Sequence, residues 1–301
     1  MQIGLYIRVC IELLTSAIGI FGNITCLVAL FRVRLQSDRS YNPLVLLHLL
    51  QAFFDLLICM HGLCSPLEAF ALSIFTCLTL VLRPLIWFFY CLRLYCTFLL
   101  AGINFIRLLH PFIKAPAQLL LMVFFTCIVC LITASIGMLP LLIEPRFADG
   151  LCPTLGAKGQ KDVSPAGDRA AVIHLLILFN LAINFLGPYS AIFHMYRKIL
   201  ASLGNSDDET RQLAYQELNK TYLLDSLFLG VCNLPLNLYC LVALHQSANR
   251  PTVLFLATYP SIVFATFYPF LSLAFRRMYK KAIMENSNFF VKFLLNKITT
   301  A

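Results

Sequence analysis

Charge is scarce in this chain: Asp, Glu, Lys and Arg make up 12% of 301 residues, against 60% that are hydrophobic. A soluble domain of this length would expose far more apolar surface than water tolerates, so the apolar residues are expected to face lipid. Metal-ligand spacings, a glycine-rich nucleotide loop and a nucleophile with a matching base are all missing, and the six histidines are scattered. The expectation is therefore no catalytic residue, no metal, no cofactor and no enzymatic activity. Blocks of basic residues interleaved with aromatics are missing too, so the net charge of +9 does not point to nucleic acid. Nor is there an internal repeat or a pair of Gly/Pro-broken apolar segments in matching halves, the pattern of a secondary transporter.

What the sequence does contain is long apolar runs, near 5–31, 42–65, 75–108, 117–143, 170–199, 216–246 and 251–274. A helix that crosses the hydrocarbon core needs roughly 20 mostly apolar residues, and each run meets that length. The fold class expected is an all-α membrane protein, a seven-transmembrane helix bundle with a short amphipathic cytoplasmic helix. Residues 1–285 form the one domain in this reading, with the interfacial helix at 275–285, and 286–301 form a cytoplasmic tail. The first run is read as a retained span, because no short apolar core with a small-residue cleavage site precedes it.

Orientation follows from the basic residues. With the amino terminus outside, about fifteen Lys and Arg lie on the cytoplasmic side and about seven outside, with Arg93 buried. That asymmetry predicts an odd number of spans and a multi-pass plasma-membrane protein with an extracellular amino terminus. The stretch from Phe275 to Ile283 mixes Arg276, Arg277, Lys280 and Lys281 with apolar residues, as a helix lying on anionic inner-leaflet lipid does. Most of the twelve cysteines, Cys26, Cys59, Cys91, Cys96, Cys127, Cys130 and Cys232 among them, fall inside apolar runs and read as small core residues.

Particular residues carry a family likeness. Gly22-Asn23 lies in the first run and Leu49 to Asp55 in the second. Pro188 is followed eight residues later by Tyr196, and Cys232-Asn233-Leu234-Pro235 and Tyr268-Pro269 lie in the sixth and seventh. In this order and spacing the chain resembles the rhodopsin-like G-protein-coupled receptors as a divergent member, loosely similar to peptide receptors. Ile103-Asn104-Phe105 precedes His110-Pro111 at the distance at which that family's Asp-Arg-Tyr precedes its His-Pro, so Asn104 replaces the family arginine. Only the proline of the seventh-span motif survives.

The resemblance implies an extracellular ligand, with a peptide as first candidate and lipid or odorant open, and a heterotrimeric G protein as cytoplasmic partner. It implies a coupling crevice near Asn104, Arg107 and Tyr196, although an arginine near a helix end also snorkels to the interface without any such role. It further implies an outer disulfide between Cys77 and Cys152, with Cys64 a rival for Cys152. Ile86 stands where amine receptors carry an aspartate, and 251–275 has no lysine for retinal, which argues against both ligands. The alternative functions are a ligand-binding receptor that does not signal, and a transporter or channel.

Polar residues inside the runs are the remaining candidates. An unpaired charge such as Asp55 at mid-span costs about 2.5–3.5 kcal/mol on insertion scales, so Asp55 is expected to face the bundle and find a partner. Arg93, eleven residues before Asn104, falls where the third span should face it, which suggests an internal ion pair in place of the sodium the family holds there. The alternative puts Arg93 in a water-filled cavity. Asn180 and Asn184 share one helix face, as do Asn233 and Asn237. With Trp87, Tyr90 and Thr258 they are candidates for a mid-bundle ligand pocket, interhelical hydrogen bonding being the competing use.

Overall fold

The computed structural model describes residues 2–36, 43–68, 73–109, 124–125, 128–133, 135–136, 175–204, 209–245 and 251–275. Every element among them is helical. In chain order these are α1 (Gln2–Gln36), α2 (Pro43–Glu68), α3 (Ser73–Leu109), a π-helical segment π1 (Asn180–Leu186), α4 (Gly187–Gly204), α5 (Glu209–Tyr222), a second π-helical segment π2 (Leu223–Phe228), α6 (Leu229–His245) and α7 (Pro251–Phe275). Among the described residues, four stretches are long and apolar enough to cross a membrane: Tyr6–Arg32, Leu44–Cys64, Phe88–Leu109 and Leu175–Gly204. The protein is thus all-helical and membrane-associated by the character of its helices.

Their outward faces bear this out. On α1, Ile7, Ile11, Leu14, Ile18 and Phe21 are all exposed at spacings of three and four. One continuous apolar stripe along a helix is a surface that lipid, rather than water, accommodates. The same holds beyond π1 and π2, where Leu175, Leu178, Val231 and Leu238 are exposed.

The inward faces pack in a closed order. α1 lies against α2 and α7, α2 against α3 and α7, α3 against α4, α4 against α5, and α6 against α7. Small residues set the closest approach. A Cβ on Gly19 of α1 would stand 2.5 Å from Cys59 Sγ and 2.7 Å from Thr266 Oγ1, so any side chain there would force α1 away from α2 and α7. The largest apolar cluster joins Leu94 and Ala101 of α3, Phe185, Ile192, Tyr196 and Ile199 from π1 and α4, Leu229 of α6, and Phe264 and Tyr268 of α7.

Several helices are longer than their apolar runs. Helix continues to Gly204 and resumes at Glu209, because backbone hydrogen bonding does not stop where apolarity does. π1 has a proline-based cause. Pro188 has no N–H and its ring crowds the carbonyl four residues back, that of Asn184; the widened turn just before it absorbs the clash, and Gly187 N–H donates to Ala182 O. π2 has no proline to account for it in this way, and it contains Asp225.

Most of the expected fourth span, the interfacial helix at 275–285 and the tail at 286–301 lie outside the described residues.

Candidate functional site

The interior holds two polar regions. The first is built around charge. Arg93 on α3 and Asp55 on α2 are 2% and 0% exposed, and Arg93 Nε donates to Asp55 Oδ1. The structure therefore brings together the two residues whose pairing the sequence suggests. The guanidinium carbon also lies 4.2 Å from the centre of the Phe264 ring and 4.6 Å from that of Tyr268, both on α7. Cation–π attraction of this kind is strongest when desolvated. Asp55 Oδ2, Arg93 Nη1 and Arg93 Nη2 are buried with no hydrogen-bond partner among the described residues.

A second carboxylate completes this region. Asp225 of π2, 1% exposed, accepts from Tyr196 on α4 at Oδ2 (3.2 Å) and from Tyr268 on α7 at Oδ1 (3.2 Å). The Tyr268 hydroxyl also lies 3.1 Å from Gln51 Oε1 on α2. One phenolic proton thus serves two acceptors. Gln51 Nε2 in turn donates to Thr97 Oγ1 on α3 at 2.8 Å, and His48 Nδ1 stands 3.1 Å from Gln51 Oε1. Side chains from α2, α3, α4, π2 and α7 therefore share one connected network.

The second region is made of neutral groups. Asn184 Nδ2 donates to Asn180 Oδ1 (2.6 Å) and to Thr133 O (2.9 Å). Tyr95 of α3 donates its hydroxyl to Asn184 Oδ1 at 2.7 Å. On α6, Asn233 Nδ2 donates to Leu229 O and Asn237 Nδ2 to Asn233 O, each at 2.9 Å. Ser261 of α7 donates to Cys232 O (2.9 Å) and lies within 3.0 Å of Asn233 Oδ1. These bonds lie around Pro235, whose missing N–H leaves a helix carbonyl without its usual donor. Between the two pairs runs a cleft lined by Tyr90, Leu94, Asn184, Phe185, Asn233 and Asn237. Its cavity volume is about 20 Å3, room for a water molecule or so rather than for a ligand in this arrangement.

The other sequence candidates are spread differently. Thr258 is half-buried on α7 and is not among the residues lining the cleft. Of the three coupling candidates, Arg107 is exposed and Asn104 half-buried, whereas Tyr196 is fully buried, its hydroxyl drawn inward by Asp225. Glu12 is buried and bonded to Arg8 at 3.2 Å, one turn earlier on α1. Cys152 and the side chains of Cys77 and Trp87 lie outside the described residues. No group of three or more His, Cys, Asp or Glu suited to a metal occurs among the described residues.

Asp225, His48, Gln51 and Thr97 are the network residues that sequence reasoning missed, and Tyr268 enters it only as part of a motif. Asp225 carried a usable signal, since an acid inside an apolar run is as conspicuous as Asp55. Gln51 and Thr97 carried none, because nothing in one sequence fixes helix rotation. No family model matches this chain, and no curated protein matches it in sequence.

Proposed function

We propose that this protein is a divergent seven-helix receptor of the rhodopsin-like, G-protein-coupled type, set in the plasma membrane with its amino terminus outside. It binds an extracellular ligand, a peptide before a lipid or odorant, and signals to a cytoplasmic G protein. One observation supports this most. The residues that carry the sequence resemblance, Asn23, Asp55, Tyr196 and Tyr268, come from four different helices and all turn inward, each no more than 2% exposed. Asn23 Nδ2 ties α1 to α7 through Ala265 O at 3.1 Å, and the other three belong to the charged region. The apolar character of α6 and α7 supports further spans beyond the four longest, since α7 has no charged residue from Pro251 to Phe275.

The mechanism is a shift between two populations. The cleft between Asn184 and Asn233 is narrow here, so a ligand that binds a wider form favours that form by its differential affinity. Widening the outer half moves α6 about Pro235 and carries the movement toward π2 and α5. Asn104 and Arg107 then meet the partner, with Arg107 already exposed.

The test is guanine-nucleotide exchange on G proteins by the surface-expressed chain, with and without peptide and lipid libraries, for wild type and Asn104→Arg at matched expression. Exchange in the wild type is the expected result. Exchange only in Asn104→Arg identifies a receptor that binds without efficient coupling. Silence in both overturns the receptor reading and turns it toward transport, for which buried Asp55, Arg93 and Asp225 would be the natural pathway groups.

A further inference from the structure

Asp225 is in the wrong place for an ordinary packing residue. It is a carboxylate 1% exposed within a helix whose outward neighbours Leu227 and Phe228 are about half exposed to the apolar surroundings. Its two oxygens hold two tyrosine hydroxyls that come from opposite neighbours, Tyr196 on α4 and Tyr268 on α7. Carboxylate–phenol bonds are charge-assisted and directional, and in a low dielectric they are satisfied in few arrangements.

Other contacts across the same junction are of a different kind. Tyr222, the last residue of α5, stacks obliquely on Phe193 (5.8 Å) and on Tyr196 (5.9 Å). Such apolar contacts are non-directional and tolerate sliding. What fixes π2 against α4 and α7 at one register is the carboxylate. Next to it, α5 is polar, with Glu209, Arg211, Glu217 and Lys220, and continues from π2 without a break. π-helical turns inside longer helices are weak points where a helix bends.

The position of Tyr268 makes the device reversible. Its hydroxyl stands 3.1 Å from Gln51 Oε1 and 3.2 Å from Asp225 Oδ1. If π2 moves off, Tyr268 keeps an acceptor on α2, so opening on that side leaves no stranded donor.

We propose that Asp225 is a conformational latch: by gripping the hydroxyls of Tyr196 and Tyr268 it keeps the polar arm Glu209–Tyr222 docked, and its release lets that arm swing about π2. The latch concerns helix movement alone and stands or falls independently of the ligand and of any G protein.

Double electron–electron resonance on the full chain in nanodiscs tests this, with spin labels at Leu108 on α3 and Leu213 on α5, both more than 40% exposed. The labels are attached to genetically encoded keto amino acids, because twelve cysteines rule out thiol labelling. The wild type gives one distance. The double variant Tyr196→Phe/Tyr268→Phe, which deletes two oxygen atoms and nothing else, gives a second population displaced by about 5 Å, on the order of one helical turn. Asp225→Leu gives the same population, and each single Phe variant gives less of it. A wild-type distribution in the double Phe variant overturns the proposal, whether or not Asp225→Leu folds, since movement in Asp225→Leu alone would then not run through the phenols.

Discussion

The charged region and the amide region use hydrogen bonds for opposite ends. Around Asp55, Arg93 and Asp225 nearly every side-chain bond crosses from one helix to another, so that α2, α3, α4, π2 and α7 are joined through side chains 29 to 217 positions apart. Around Pro235 the amides instead turn back on their own helix: Asn233 and Asn237 each donate to a carbonyl four residues earlier. A charge in an apolar interior must be met by a partner wherever one stands. A neutral amide can instead be satisfied by a carbonyl one turn back on its own helix. One region thus fixes how helices stand to one another, whereas the amide nitrogens around Pro235 bond back along α6.

Removing a charge should therefore cost far more than removing an amide. Arg93→Ala leaves Asp55 buried and unpaired, and a loss of about 3–5 kcal/mol is expected. Asp55→Ala should cost less, because the guanidinium keeps its contacts with Phe264 and Tyr268. Adding Asp55→Ala to Arg93→Ala should recover part of the surface expression lost by Arg93→Ala alone. Unfolding is followed by a thiol-reactive dye in detergent, since the thiols of Cys26 and Cys59 are free and buried. Strictly additive losses in the double variant would mean that the two charges do not depend on each other.

Tyr95→Phe probes the border between the regions. Its hydroxyl donates to Asn184 across two helices, yet both partners are neutral. Asn184 keeps its bonds to Asn180 and Thr133, so the loss should be about 1 kcal/mol, within the range for interhelical side-chain bonds in membranes. A loss as large as that of Arg93→Ala would erase the distinction between charged and neutral links.

How far each region is legible in the sequence follows from the same physics. Asp55 and Arg93 announce themselves as charges inside apolar runs, and spacing along α3 brings them to the same level. Asp225 announces itself equally, but its partners Tyr196 and Tyr268 do not, since tyrosines are common in helices and only rotation decides where a hydroxyl points. Asn233 and Asn237 read as a pocket face from their spacing, and both also line the cleft, but their amide nitrogens bond back to carbonyls of α6. The π-helical turns divide likewise, π1 having Pro188 as its cause and π2 having no local residue that predicts it. Helix ends were the least legible, because helices run past the apolar runs that locate them.

Within the amide region the comparison can be drawn once more at finer scale. Asn233 and Asn237 share a face and each donates to a backbone carbonyl of α6, but Asn233 Oδ1 also lies 3.0 Å from Ser261 Oγ on α7, whereas Asn237 has no such cross-helix bond among the described residues. If crossing between helices is what makes a polar side chain matter, Asn233→Ala should cost about 1 kcal/mol and Asn237→Ala about half of that. Ser261→Ala should be non-additive with Asn233→Ala and additive with Asn237→Ala, measured by the same thiol-dye unfolding. Equal losses at the two asparagines, with Ser261→Ala additive to both, would show that the bonds back to α6 are the whole of their contribution and that α6 and α7 are held together by apolar packing alone.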